Sequence, residues 1–409
     1  MSLLLRLALR NVFRNYLRSV VTLFVIGAGC AALIVNAGVV FNIFRELRED
    51  AIWGRYAHLQ VYRRGYSQGH RAEPERYLIP PAEARRLIAL ARADPRIAHA
   101  TRRREFSGMV SVGSRYTAFL GVGVEPEMDG EFSRHTELRL GQPLTVGDAY
   151  GVLAGMGLAQ KMGADTGAEL RLITTTGTGA FNAVHARLLG VFEGGFKDYD
   201  DWTLKAPLGA VEQLLMDDRT EQVVLLLRRT DDAPAVRASL ERAFAQEGLD
   251  LEIRSWDQLA LFHNQVVSLF GRELDVLRLI VCVIVILGIA NAVSMSIVDR
   301  QFELAATRAM GVGARPLAGL LMTEALLTGL IGAALGVAAG VGIAWAVSQV
   351  GIAYPSPPGS TRPFRGGVDL VPHEILTAFS LSVAATVLAA VPPAWRAVRL
   401  RIAPALRRG

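Results

Sequence analysis

Few of the 409 residues are of a type and spacing that could do chemistry. The seven histidines are scattered, and none forms the His-x-x-x-His pair that holds zinc on a helix. The sequence contains neither a Gly-x-x-x-x-Gly-Lys-Ser/Thr phosphate loop nor a Gly-x-Ser-x-Gly nucleophile turn. Asp198, Asp200 and Asp201 lie beside Lys197 and Tyr199, which could be a metal-binding loop but is more typical of a solvated turn. We therefore expect no catalytic, cofactor-binding or metal site in this chain, and no enzyme activity.

A second group of residues could organise helix packing inside a membrane. Four glycines recur at intervals of three and four residues in one apolar segment: Gly329, Gly332, Gly336 and Gly340. Small residues on one face let membrane helices approach closely, whereas glycines facing lipid would have no role. Glu324 lies about two turns into the same segment, and an intramembrane carboxylate is costly unless it is paired or near the interface. It could mark a relay, but a hydrogen bond or an ion pair with a nearby arginine is the simpler interpretation.

The elements that would position these residues are four long apolar segments. Apolar residues make up 51% of the chain and charged residues 20%, below the roughly 25% of soluble domains. A helix needs about 20 apolar residues to cross the bilayer core. We therefore predict transmembrane helices at residues 19–44, 274–298, 316–350 and 374–396.

Arginines near the segment ends predict their orientation, because short cytoplasmic segments are enriched in Lys and Arg. Residues 1–18 and the tail 397–409 carry arginines and no acid, and the loop 299–315 carries three arginines. We predict that these three segments are cytoplasmic and that the loop 351–373 is periplasmic. The arginines of residues 1–18 recur every four residues, which predicts an amphipathic helix on the membrane surface or a plain basic flank. The net charge of +6 forms no basic stripe with interleaved aromatics, so we expect no nucleic-acid partner.

Residues 45–273 predict a large mixed α/β domain outside the cytoplasm. Strand-like patterns occur at residues 58–63, 109–112, 116–124, 170–176, 183–192, 222–228 and 251–256. The glycines between 109–112 and 116–124, and between 170–176 and 183–192, predict two hairpins. Helical patterns occur at residues 81–93, after a proline start, and at 234–246. Residues 257–276 predict a helix that continues without a break into the second span, and we expect two subdomains, one interrupted by the other. The predicted fold class is a membrane α-helical protein with four transmembrane helices and an α/β periplasmic domain inserted between helices 1 and 2.

Three stretches of the chain resemble one known family. The run from Arg300 to Gly311 (RQFELAATRAMG), followed by Thr323-Glu324-Ala325 and the glycine repeat, resembles the FtsX-type permease domain. The C-terminal PPAWRA motif at 392–397 looks like the ending of that domain. Residues 158–167 (LAQKMGADTG), with Val191-Phe192 further on, resemble the outer domain of MacB-like and LolC/LolE-like permeases. The resemblance covers essentially the whole chain.

The resemblance implies the permease subunit of an ABC transporter in the bacterial inner membrane. It implies a homodimer or heterodimer of such chains on two copies of a separate ATPase, which would bind ATP and Mg. It further implies a coupling helix within residues 299–315, with Arg300, Glu303, Arg308 and Gly311 at the ATPase contact and the three charged residues on one side. ATP-driven closure would then move the outer domains by mechanotransmission, and we expect no ATPase fused to this chain.

The resemblance leaves the cargo open. The leading hypothesis is the outward movement of lipoproteins or other amphiphiles, assisted by a periplasmic carrier or adaptor protein. One alternative is efflux of drugs or peptides with an adaptor and an outer-membrane channel. Another is a non-transporting scaffold like FtsX itself that activates a cell-wall hydrolase, although the size of segment 45–273 weighs against it.

Overall fold

A computed structural model describes residues 16–70, 73–299, 301–354, 361 and 364–398. The predicted surface helix at residues 1–18, Arg300 and the predicted tail 397–409 therefore lie wholly or mostly outside the described residues. The chain divides into two compact units. One consists of Met1–Phe44, Val266–Tyr354 and Arg365–Gly409, and the other of Arg45–Gln265 and Pro355–Phe364.

The described helices are numbered α1 to α13 and the strands β1 to β12. The helices are α1 (Tyr16–Ala51), α2 (Tyr66–Gly69), α3 (Pro81–Ala93), α4 (Pro126–Phe132), α5 (Met156–Met162), α6 (Lys197–Trp202), α7 (Leu208–Leu215), α8 (Ala233–Glu247), α9 (Trp256–Leu259), α10 (Leu261–Asp299), α11 (Gln301–Ala309), α12 (Ala314–Val350) and α13 (Pro372–Val398). A π-helical turn covers Ile52–Tyr56, and 3₁₀ turns cover Pro74–Tyr77 and Thr230–Asp232. The strands are β1 (Leu59–Arg63), β2 (Ile97–Val112), β3 (Arg115–Val124), β4 (Glu137–Gly141), β5 (Gly151–Gly155), β6 (Glu169–Thr175), β7 (Phe181–Glu193), β8 (Thr203–Pro207), β9 (Gln222–Leu227), β10 (Leu251–Ser255), β11 (Ile352–Tyr354) and β12 (Phe364–Gly366).

The first unit contains the long apolar helices. Within the described part of the chain, four helices are long and apolar enough to cross a membrane: α1, α10, α12 and α13. The general layout of four apolar helices with an α/β domain is therefore confirmed. The boundaries of the individual segments stay predictions.

The predicted helix at residues 257–276 continues into the second apolar stretch as α10, as expected, but it is broken once, at Ala260. Ser255 caps a separate one-turn helix, α9, through a reciprocal capping box with Gln258. Ala260 then leaves the helical region (φ −82°, ψ 66°), and α10 begins at Leu261. The short helix has its own capping signal, which the helical periodicity of the surrounding residues concealed.

The α/β domain is built on one sheet in the order β10-β1-β9-β2-β3-β8-β5-β7-β4. The strand β6 lies off this path and pairs with both β2 and β7. Strands β2, β3, β8, β5, β7 and β6 are thus paired in a closed ring. Closing a sheet on itself removes unpaired edges, so most of the ring is protected from edge-to-edge association.

Two hydrophobic cores lie on this shared sheet. One is formed by β1, β9, β10 and the start of β2, covered by α3 and α8 through residues such as Leu87 and Phe244. The other fills the closed ring and includes side chains of α5 and α7, such as Leu158 and Val211. The strand β2 contributes Ile97 and Ala100 to the first core and Phe106 and Val110 to the second, so one strand is continuous between them.

Candidate functional site

The predicted coupling segment folds as α11, which is fastened to the membrane helices by its apolar side. Leu304 is 5% exposed and packs in a cluster with Ile297 of α10, Leu317 of α12 and Ala394 of α13. The helix ends before Gly311, whose φ of +94° lies in the left-handed region that glycine adopts without strain. Any movement of α11 must therefore be transmitted to three of the four long helices.

Two of the charged residues predicted at the ATPase contact lie on α11. Glu303 and Arg308 are both half-buried. Their five-residue spacing separates them by about 140° around an α-helix, which is less than half a turn. Their place at an ATPase contact stays a prediction.

Exposed apolar side chains of this segment were missed by the sequence reasoning. Phe302 is 52% exposed, Met310 78% and Val312 37%, although they adjoin the buried Leu304 cluster. Large apolar side chains exposed beside polar ones are typical of protein interaction surfaces. The sequence carries one weak indication of this arrangement, because the charged Glu303 lies between the apolar residues Phe302 and Leu304.

The four predicted glycines lie at close helix contacts. A Cβ on Gly336 would lie 2.6 Å from Cβ of Cys30 and 2.7 Å from the carbonyl oxygen of Gly27, both on α1. A Cβ on Gly332 would be 2.9 Å from Ile26, and one on Gly340 would be 3.2 Å from Ala31.

Gly329 contacts a different helix, since its Cβ would lie 3.1 Å from Cβ of Thr386 on α13. The sequence reasoning did not single out Gly27, whose own Cβ would lie 3.4 Å from the carbonyl oxygen of Gly332. Small residues thus occur on both sides of the α1–α12 contact. Glu324, on the same helix α12, is half-buried.

Polar ties that the sequence did not reveal join the helices near the start of α13. The Nδ2 of Asn42 on α1 donates to Oδ1 of Asp369 at 3.2 Å, and its Oδ1 accepts from the backbone N–H of Gly367 at 3.2 Å. Arg278 of α10 forms a salt bridge with Glu374 of α13. These residues are separated by 96 or more positions in the sequence, so only folding brings them together.

The interpretation of the aspartate cluster as a solvated turn is wrong. The residues form α6, and Asp200 is only 2% exposed. Its Oδ1 accepts from the N–H of Gly194 at 2.7 Å, and its Oδ2 from Oγ1 of Thr361 at 3.2 Å. The neighbouring Asp201 pairs with Lys197 at 3.3 Å. Asp200 therefore organises the backbone of the 194–196 loop, and the described residues contain no cluster of three or more metal-ligating side chains.

Two models of known protein families match this chain. A model of the MacB-like periplasmic core domain matches residues 19–243, and a model of the FtsX-like permease C-terminal domain matches residues 276–402. The chain belongs to the FtsX-type permeases of the MacB and LolC/LolE superfamily.

Individual relatives cover the chain to different extents. The lipoprotein-releasing system transmembrane protein LolC of Xylella fastidiosa is 25% identical over 425 residues, covering 98% of this permease and 96% of that protein. The macrolide export ATP-binding/permease protein MacB of Bdellovibrio bacteriovorus is 24% identical, covering 41% of this permease and 28% of that protein. The periplasmic region of MacB from Actinobacillus actinomycetemcomitans aligns with a TM-score of 0.40 at 16% identity, covering 53% of this permease and 95% of that structure.

The family places this permease among the components of ABC transporters, which work with ATPase partners. Permease components are usually non-catalytic. Together with the four apolar helices, the relatives indicate an inner-membrane protein with a periplasmic domain. The roles of individual residues in the site stay predictions.

Proposed function

We propose that this permease moves lipoproteins or other amphiphilic substrates from the inner membrane or periplasm outward, driven by ATP hydrolysis in a partner. The observation that carries the proposal is the similarity to LolC along 98% of this chain and 96% of that protein. A match of that extent includes the membrane helices as well as the outer domain. The name of that relative describes lipoprotein release.

The proposed topology has both termini and α11 in the cytoplasm and the α/β domain in the periplasm, inserted between the first and second membrane helices. The arginines of residues 1–18, 299–315 and 397–409 support it through the positive-inside rule. Two permease chains would sit on two ATPase copies, which hold ATP and Mg. The spans would act as levers that move the outer domain, with no substrate path through the bilayer core.

In this proposal α11 docks on the ATPase. The exposed Phe302 and Met310 support it, because docking would bury them while Leu304 keeps the helix fixed to the spans. Glu303 and Arg308 would contribute charge complementarity, which sets orientation and partner choice. Gly311 would end the helix.

The cargo is tested by purifying the full-length permease with its ATPase and identifying copurified molecules by mass spectrometry. We expect acylated protein or lipid at stoichiometric amounts. A stoichiometric adaptor protein without any amphiphile would overturn lipoprotein release. That outcome would favour the second candidate, drug or peptide efflux, which the partial similarity to MacB supports.

The docking role of α11 is tested by Glu303→Lys and Phe302→Ala in the same preparation. Each variant should lose most of the copurified ATPase, while the permease still inserts in the membrane. Glu127→Lys, the same charge change at an exposed site of α4 in the α/β domain, is the matched control. Unchanged ATPase recovery and coupled hydrolysis in both α11 variants would refute this placement.

A further inference from the structure

The residues that follow the long helix α1 are embedded in the α/β domain. The π-turn Ile52–Tyr56 follows Ala51 without leaving helical geometry. Ile52 is fully buried and packs with Phe132 of α4 and Val224 of β9. The turn ends at Ala57, whose φ of 55° lies in the left-handed region that a residue with a Cβ rarely adopts. Such a conformation persists only when its surroundings hold it in place.

One arginine of the sheet contacts this turn directly. Arg103 of β2 is 8% exposed, and its Nη1 donates to the carbonyl oxygen of Arg55 at 2.7 Å. Its guanidinium lies 5.4 Å from the ring centre of Phe132. The π-turn is thereby bonded to the strand that both cores share. Because the last carbonyl oxygens of a helix lack an intrahelical partner, a charged donor here stabilises the turn more than a neutral one would.

A buried ion pair lies close enough to Arg103 to interact with its charge. Lys205 of β8 is 3% exposed, and its Nζ lies 3.2 Å from Oδ1 of Asp129 and 2.6 Å from Oγ of Ser133. Burial opposes the ionisation of Asp129, but the charges of Lys205 and Arg103 outweigh it and lower the pKa of Asp129. The carboxylate is therefore ionised at neutral pH and attracts both cations. Arg103 is therefore attracted to Asp129 by charge while its Nη1 bonds to the π-turn.

The two arginines adjacent to Arg103 on β2 bond to other parts of the α/β domain. Arg102 pairs with Glu125 at 2.9 Å and with Glu212 at 3.1 Å. Arg104 donates to the carbonyl oxygen of Arg219 at 2.9 Å. Both join elements inside the α/β domain and neither contacts the π-turn among the described bonds. Arg102 is thus a control for Arg103 on the same strand with the same charge.

The chain leaves the α/β domain through α9 and α10, and this connection differs from the one at the end of α1. Ala260 interrupts the helix between α9 and α10, and the next residue, Leu261, is 70% exposed. The break is bridged by the bond from Nδ2 of Asn264 to the carbonyl oxygen of Asp257 at 2.6 Å and by the rings of Trp256 and His263, whose centres lie 5.0 Å apart. A single non-helical residue can absorb a change in backbone angles, which an embedded π-turn cannot.

We propose that Arg103 is a positioning residue that fastens the outer end of α1 to the α/β domain, so that this domain follows α1 and pivots at Ala260. The inference rests on the proposed function, in which the outer domain moves in response to ATP. It assigns the connection that moves the α/β domain to α1 and the hinge to the residue before α10.

The fastening is tested by hydrogen–deuterium exchange of the full-length permease in lipid nanodiscs. In Arg103→Met, amides of residues 52–57 should exchange at least tenfold faster than in the wild type, because the turn loses its donor. In Arg102→Met they should exchange at the wild-type rate, and Arg103→Lys should restore part of the protection. Equal exchange of this segment in Arg103→Met and Arg102→Met would overturn the fastening.

The coupling is tested with the ATPase-bound permease by pulsed electron paramagnetic resonance. A nitroxide at the exposed Gln246→Cys, in a Cys30→Ala and Cys282→Ala background, reports the distance between the outer domains of two permease copies. Arg103→Met should keep ATP hydrolysis but lose more than half of the ATP-dependent distance change. A purely structural role would lower hydrolysis and movement together.

These experiments distinguish a failure of the coupling role of Arg103 from a failure of the proposed function. A full distance change in Arg103→Met, despite faster exchange at 52–57, overturns the coupling role of Arg103. Absence of any ATP-dependent distance change in the wild type overturns the proposed function, and the coupling role with it.

Discussion

Substitution of Gly336 by alanine should separate α1 from α12. The added Cβ would lie 2.6 Å from Cβ of Cys30, about 0.8 Å short of the 3.4 Å at which ordinary van der Waals contact begins. Its second contact, at 2.7 Å, is the backbone oxygen of Gly27, which no rotamer change can move. Overpacking of this kind costs about 1–3 kcal/mol.

Gly342→Ala provides the matched control on the same helix. A Cβ at Gly342 meets no atom within 4 Å, so the control reports only the gain in helix propensity, up to about 1 kcal/mol. That gain is common to both variants. The difference between them, about 1–3 kcal/mol, therefore measures the clash alone.

The assay is unfolding of the full-length permease by SDS in mixed micelles, followed by helical circular dichroism. The Cβ distances predict the order of destabilisation as Gly336→Ala, then Gly332→Ala, then Gly340→Ala. Equal stability of Gly336→Ala and Gly342→Ala would refute the argument that close approach requires glycine here.

Three further predictions concern buried polar groups. Burial lowers the pKa of His58 to about 4 from the usual 6.5, so its protonation in the unfolded chain should remove up to about 3 kcal/mol of stability as pH falls from 6.5 to 4. Burial and the charge of Glu105 raise the pKa of Glu221 to about 7, so the contribution of Glu221 to the free energy of unfolding falls as pH rises from 4.5 to 7. In the wild type, His58 opposes this fall. Thermal unfolding of His58→Gln should therefore show stability falling more steeply with rising pH than in the wild type, and parallel curves would contradict this. Lys205→Met should cost about 3–5 kcal/mol by leaving Asp129 buried without its lysine, and adding Asp129→Asn should recover at least half of that loss in the same assay, whereas no recovery would contradict the pairing. Asn42→Leu should cost about 1–3 kcal/mol, measured by SDS unfolding, because Asp369 and the Gly367 amide lose a partner, and a stability equal to the wild type would contradict the tie.

Features encoded by local spacing were predictable from the sequence. The helix at residues 81–93 is observed as Pro81–Ala93, because a proline start and helical periodicity are both local signals. The hairpin of β6 and β7 was predicted from two alternating runs around glycines. The glycines of α12 were recognisable by their spacing, although their partner Gly27 belongs to a distant helix.

Features that depend on tertiary partners were not predictable. The strand β2 covers Ile97–Val112, but only its last four residues were predicted, because Arg102, Arg103 and Arg104 interrupt the apolar pattern. Each of these arginines is stabilised by a residue more than 20 positions away. The strand β8 was missed because the buried Lys205 resembles a surface residue until Asp129 is placed beside it.

The four long helices differ in how much of their apolar surface the chain itself covers, and this difference bears on which of them can move. Half of the apolar stretch of α1 is buried, but only 11% of that of α10, where Leu269, Leu279 and Leu287 are each 65% exposed. Lipid tails are as apolar as leucine, so these side chains lose little when α10 exchanges protein neighbours for lipid. The glycine contacts of α1, by contrast, are lost outright if it separates from α12. Gly29 of α1 also lies close to Val285 of α10, which would be 2.8 Å from a Cβ at that position. A shift of α10 against α1 and α12 still exposes less buried apolar surface than separation of α1 from α12. Ala260 lies where such a shift would need to be absorbed.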